Sequence, residues 1–88
     1  HITSMAGTWM SIVEGFGGMR VKDNTLHFAP KIPKDWQGYS FKINFRNQIV
    51  KVTVNQKATQ IALEGNNAIT VVVNGKEVAV EANDVVTI

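Results

Sequence analysis

Eighty-eight residues suffice for one small domain, since a chain of this size hides only about 60% of its unfolded surface around a single modest core. A hydrophobic fraction of 44% with 18% charged residues excludes disorder, and a net charge of +2 is too small to imply a nucleic-acid or membrane partner. The lack of cysteine excludes disulfide scaffolds and thiolate metal sites, and two histidines leave a structural zinc site almost nothing to draw on.

The first element in the chain is a helix. Ile2, Met5, Ala6, Trp9, Met10, Ile12, Val13 and Phe16 recur with a helical period, and Ser4, Gly7, Thr8, Ser11 and Gly15 take much of the opposite face. No charge appears before Glu14. A surface helix carries charge on its outer side, so a helix with small residues there is built to touch protein on both sides. Residues 1–18 therefore read as a helix that packs inside a larger protein, and a start at His1 rather than methionine fits a processed or excised chain. The apolar stretch is too short and too interrupted to span a bilayer, and no basic segment precedes it as in a signal peptide. The expected compartment is the cytoplasm, with no membrane partner.

Gly15, Gly17 and Gly18 end the helix, and from there the period changes to two. Arg20 to Lys22 and Leu26 to Ala29 form a leading hairpin across Asp23-Asn24, and the Pro-bearing loop from Pro30 to Trp36 joins two strands. Tyr39, Phe41, Ile43 and Phe45 alternate with polar residues, as do Val50, Val52 and Val54, with Asn47-Gln48 as the turn between the two runs. Ile61 with Leu63, Ile69 with Val71 and Val73, and Val78 with Val80 give three further strands. Gly65-Asn66-Asn67 marks one turn, and Asn74-Gly75 is the strongest hairpin signal in the chain. The fold class expected is mainly β: a small antiparallel, jelly-roll-like β-sandwich over residues 19–88, preceded by one N-terminal α-helix.

Few residues invite chemistry. Gly15-Phe16-Gly17-Gly18 follows a helix, whereas a phosphate-binding loop precedes one, so it reads as a helix stop. His1, Thr3 and Ser4 have the opposite placement, at a helix start where free N–H groups favour an anion, although a simple cap by Thr3 or Ser4 uses the same donors. Trp36 and Tyr39 could stack on a sugar ring, but packing at the end of a sandwich core is the stronger reading. The lysines are scattered and give no nucleic-acid stripe. His27 alternates on a short strand as a surface residue. The carboxylates offer no acid–base pair, and there is no catalytic residue, metal site or cofactor site to propose.

The run His1-Ile2-Thr3-Ser4-Met5-Ala6-Gly7-Thr8-Trp9, followed by Ile12-Val13-Glu14-Gly15-Phe16-Gly17-Gly18-Met19-Arg20, resembles the end of the catalytic domain in glycoside hydrolase family 65. Leu26-His27-Phe28-Ala29-Pro30, Ile32-Pro33, Trp36, Tyr39-Ser40-Phe41 and Phe45-Arg46 resemble the start of that family's C-terminal β domain. The resemblance runs through the chain in order, dense over residues 1–46 and reduced to pattern from 49 to 88. It implies a parent disaccharide phosphorylase, with maltose the expected substrate. In such an enzyme a glutamate of an (α/α)6 barrel acts as general acid, and inorganic phosphate replaces water, inverting the sugar to β-glucose 1-phosphate. It also implies that residues 1–18 are the last barrel helix and that His1, with Thr3 and Ser4, lies near the phosphate. Partners would be the barrel, the disaccharide and phosphate as co-substrate, with no cofactor and a homodimeric parent allowed. A stand-alone carbohydrate-binding module and the C-terminal domain of a related hydrolase are the rival readings.

Overall fold

The computed structural model describes residues 17–88. The expected N-terminal helix therefore lies outside the described residues, apart from its terminal glycines. Eight strands follow: β1 (Arg20–Lys22), β2 (Thr25–Phe28), β3 (Gly38–Phe45), β4 (Gln48–Asn55), β5 (Thr59–Glu64), β6 (Ile69–Val73), β7 (Lys76–Val80) and β8 (Val85–Thr87). They form two four-stranded sheets, one in the order β1-β2-β6-β7 and the other β3-β4-β5-β8.

Alternation decides which side chains meet between the sheets. Leu26 and Phe28 of β2, Ile69, Val71 and Val73 of β6, and Val80 of β7 face Phe41, Val50, Val52, Val54, Ile61 and Leu63 of the second sheet in one buried cluster. Val50, Val52, Ile61, Val71 and Val80 are fully shielded. Each such side chain stabilises the fold by roughly 1.5–3 kcal/mol relative to exposure. Both sheets therefore depend on the same core.

Three expectations need correction. The sandwich is not wholly antiparallel, because β2 and β6 run parallel through His27↔Val72 and Phe28↔Val73. A parallel pair needs a long crossover, and here the whole β3–β5 meander supplies it, leaving the first sheet after Phe28 and returning at Ile69. Nor is the order that of a jelly roll: β3, β4 and β5 stay neighbours as in the chain, and β8 adds beside β5. The β3–β4 turn lies at Arg46-Asn47, one residue before the expected Asn47-Gln48, since Phe45 pairs with Gln48. Arg46 and Asn47 both adopt positive φ, 53° and 62°, the twist a two-residue hairpin demands.

Gln48, freed from the turn, is the one buried polar residue among those described. Its Oε1 accepts a hydrogen bond from the Asn67 backbone N–H at 2.9 Å, which fixes the link from β5 to β6. Gly65 passes so close that any Cβ there would strike the Gln48 amide. Strand β8 was not foreseen. The Asn83 carbonyl oxygen of the side chain accepts from the Gly65 N–H at 3.2 Å, and Asp84 Oδ1 accepts from the Val85 N–H at 2.8 Å, so two side chains set the last strand against β5. Asp23-Asn24 and Asn74-Gly75 turn as expected, all four at positive φ.

Candidate functional site

The residues singled out for phosphate, His1, Thr3 and Ser4, lie outside the described residues, as does Glu14. Gly17 and Gly18 are the first of the described residues. Gly18 holds φ +56°, and a Cβ there would stand 2.7 Å from the Ala29 carbonyl oxygen. The Ala29 N–H donates to the Gly17 carbonyl at 3.2 Å, so the chain enters the domain pressed against the end of β2. The left-handed conformation and the close backbone contact both call for glycine at this position.

Among the described residues, the outer face of the β1-β2-β6-β7 sheet carries the concave surface. Register places Arg20 opposite His27, His27 beside Val72, and Val72 opposite Glu77, a row across all four strands. Two hollows flank this row. One, of about 370 Å³, is bordered by Gly18, Arg20, His27, Val72 and Asn74; the other, of about 470 Å³, by Lys22, Asp23, Thr25, Thr70 and Glu77. The inventory is one guanidinium, one imidazole, one ammonium, two carboxylates, two hydroxyls and one carboxamide. These can hold polar groups by hydrogen bonding. The Thr25 and Thr70 hydroxyls share the second hollow with His27, and no group of three potential metal ligands exists among the described residues. The structure thus gives His27 a central position between the hollows. A sequence sees Arg20 and His27 as seven residues apart, and only the Asp23-Asn24 hairpin signal could have placed them opposite one another.

The aromatic pair of the loop behaves differently from that face. Trp36 meets Tyr39 edge-on at 6.2 Å, Tyr39 stacks on Phe41 at 6.3 Å, and Phe41 lies 6.3 Å from Phe28. The row runs from the rim into the core. Phe28 and Phe41 are buried, Tyr39 is half-buried, and Trp36 keeps 38% of its surface exposed. Packing thus accounts for Tyr39 and Phe41, while Trp36 sits at the edge rather than plugging the core. The Tyr39 hydroxyl donates to the Lys31 carbonyl at 2.6 Å, and Gln56 Nε2 donates to the carbonyls of Pro33 and Trp36 at 2.9 and 2.7 Å. Partial burial raises the Tyr39 phenol above its ordinary pKa.

At the opposite end the Arg46 guanidinium donates to the Asn24 carbonyl and lies 5.0 Å from the Phe45 ring centroid. The tip of the β3–β4 hairpin is thereby tied to the tip of the β1–β2 hairpin, across the two sheets. Phe45-Arg46 is a structural clasp. No helix among the described residues is long and apolar enough to cross a membrane.

With this geometry in place, the likenesses to known proteins fall in one direction. Residues 19–80 match the model described as glycosyl hydrolase family 65, C-terminal domain. Maltose phosphorylase of Bacillus subtilis (strain 168) is 58% identical over 57 residues, which is 65% of this chain and 8% of that protein. The alpha,alpha-trehalose phosphorylase of Geobacillus stearothermophilus is 42% identical over 77 residues, 88% of this chain and 10% of that one. A solved chain provisionally named kojibiose phosphorylase, from human microbiome, superposes with a TM-score of 0.86 at 38% identity, covering 100% of this chain and 12% of its own. The chain therefore spans about a tenth of the length of the relatives it matches.

Proposed function

The chain belongs to glycosyl hydrolase family 65 as its C-terminal domain, and on that premise we propose that it serves a disaccharide phosphorylase as a packing domain, its chemistry carried elsewhere in a longer protein. The observation that carries this reading is that a complete two-sheet core coincides with a match to a C-terminal domain alone, about a tenth of the length of the relatives. Relatives named for maltose, trehalose and kojibiose support a disaccharide substrate. Maltose is the substrate we propose, on the strength of the 58% identity to the maltose enzyme.

In this reading residues 1–18 are the last helix of an (α/α)6 barrel and residues 19–88 are the β domain. The barrel supplies a glutamate as general acid, and inorganic phosphate attacks from the opposite face of the sugar with inversion, giving β-glucose 1-phosphate and glucose. His1, with Thr3 and Ser4, forms one edge of the phosphate site. A helix start offers unpaired N–H groups and the positive end of the dipole, which supports an anion there. No cofactor takes part, the protein works in the cytoplasm, and it assembles as a homodimer.

The test is the longer protein assayed on maltose, trehalose and kojibiose, with and without phosphate. Phosphate-dependent release of glucose 1-phosphate is expected, fastest on maltose. His1→Ala should raise the KM for phosphate more than it lowers kcat. Glucose release that is indifferent to phosphate would instead establish a hydrolase. The exposed edge of Trp36 favours a second reading, a carbohydrate-binding module. Maltodextrin titration followed by tryptophan fluorescence separates them, since a packing domain gives no saturable response.

A further inference from the structure

The outer face of the β3-β4-β5-β8 sheet carries an arrangement that the fold alone does not favour. Register sets Lys42 of β3 directly opposite Lys51 of β4. Both are exposed, and among the described residues neither ammonium group has an ion pair or a side-chain hydrogen bond. Like charges placed opposite one another weaken a sheet. The one carboxylate on that face among the described residues, Glu64, sits one row away, opposite Ile49. The isolated sheet therefore keeps two like charges face to face where its edge strand β3 meets β4, with Glu64 only diagonal to Lys51.

The same row continues from Lys51 to Ala62 and on to Val85, which keeps 55% of its surface exposed. Beside it runs a neutral row of Ser40, Thr53, Gln60 and Thr87, with Gln60 Nε2 donating to the Thr87 hydroxyl at 3.4 Å. Two ammonium groups next to the half-buried Ala62 and the exposed Val85 match a protein interface, where apolar contact is bordered by charge. A phosphate backbone or a sugar would leave Ala62 and Val85 without a partner.

We propose that this face docks on an acidic patch of the remaining part of the same protein, with carboxylates between Lys42 and Lys51 and an apolar side chain over Ala62 and Val85. The proposal rests on the reading of this chain as a packing domain, and the relatives it matches are long enough to supply such a partner, since the chain spans only 8% to 12% of them. Docking converts the repulsion between the lysines into a shared attraction for one partner. A sequence feature that costs stability in isolation is thereby useful in the assembly.

Lysine acylation read by mass spectrometry tests this in the 88-residue chain and in the longer protein. Lys42 and Lys51 should react at least about tenfold more slowly in the longer protein, because a docked interface excludes water, with Lys34 and Lys57 changing little. Equal labelling of Lys42 in the two forms would overturn the proposal. Lys51→Glu supplies an independent readout with opposite signs. In the 88-residue chain it pairs with Lys42 and should raise Tm by about 2–6 °C. In the longer protein it should return Lys42 to the reactivity of the undocked chain. Continued protection of Lys42 in that variant would show a contact not made by charge and would also overturn the proposal. Phosphorolysis of the disaccharide is read separately, so protected lysines in a protein without that activity would uphold the docking and sink only the activity.

Discussion

The two sheets share one core but are assembled in different ways. In the β3-β4-β5-β8 sheet, β3 and β4 are eight residues each, paired along their whole length, and three of the four strands are consecutive in the chain. The β1-β2-β6-β7 sheet consists of two short hairpins from distant parts of the chain, joined by a parallel seam of two residue pairs. One sheet is specified by its neighbours in sequence. The other exists only because the first, folded beneath it, holds its halves together. The hollows lie over that seam, flanking His27 and Val72.

The largest expected effect comes from removing the seam's anchor. Phe28 pairs with Val73, is 2% exposed, and accepts the Asn74 N–H on its carbonyl at 2.8 Å. Phe28→Ala should cost about 3–5 kcal/mol by loss of burial and cavity formation. Urea unfolding measures the total, and hydrogen exchange should show β1, β2, β6 and β7 amides losing protection ahead of those in β3 and β4. Uniform loss across both sheets would erase the distinction drawn between them.

A smaller effect is expected where the β5–β6 link crosses between the sheets. Gly65→Ala drives a methyl into the Gln48 amide and so disturbs its bond to Asn67. The loss should be about 1–3 kcal/mol. In combination with Gln48→Ala the second cost should be much reduced, because the obstructing amide is gone; a double-mutant cycle by urea melts reads the coupling. Arg46→Ala comes next, releasing the clasp to Asn24 at an exposed site, for about 1 kcal/mol.

The smallest effect is set by pH. Partial burial raises the Tyr39 phenol above its ordinary pKa. A raised pKa means that the folded state favours the protonated phenol. Its contribution is thus complete below the unfolded pKa, near 10, and is lost as pH rises through the folded value. Melts between neutral pH and alkaline pH should show this loss in the unaltered chain and a flatter profile in Tyr39→Phe.

The same contrast explains what the sequence made legible. Alternation at Tyr39–Phe45 and Val50–Val54, and the Asn74-Gly75 turn, are local signals, and they located β3, β4, β6 and β7. The parallel meeting of β2 with β6 has no local signal, because it joins residues separated by the entire meander. The jelly-roll expectation failed for the same reason. The gap between the two alternating runs points to Asn47-Gln48 as the turn, whereas tertiary burial claims Gln48 and its Oε1 accepts a distant N–H. Strand β8 is three residues of β-branched chain whose placement depends on Asn83 and Asp84, so periodicity was too short to find it. On the outer face of the first sheet, alternation shows that His27 points outward, while its meeting with Arg20 follows only from the register. The residues expected to border phosphate lie beyond the described part of the chain, and their role is a proposal for the longer protein.

The proposal to test is that these 88 residues serve a phosphorylase as a packing domain and do not turn over substrate without the rest of it. The most direct test incubates the purified chain with maltose and inorganic phosphate and follows glucose 1-phosphate with a coupled dehydrogenase assay. The account predicts no release above the protein-free control at any phosphate concentration. Saturable, maltose-dependent formation of glucose 1-phosphate by this chain alone would contradict it.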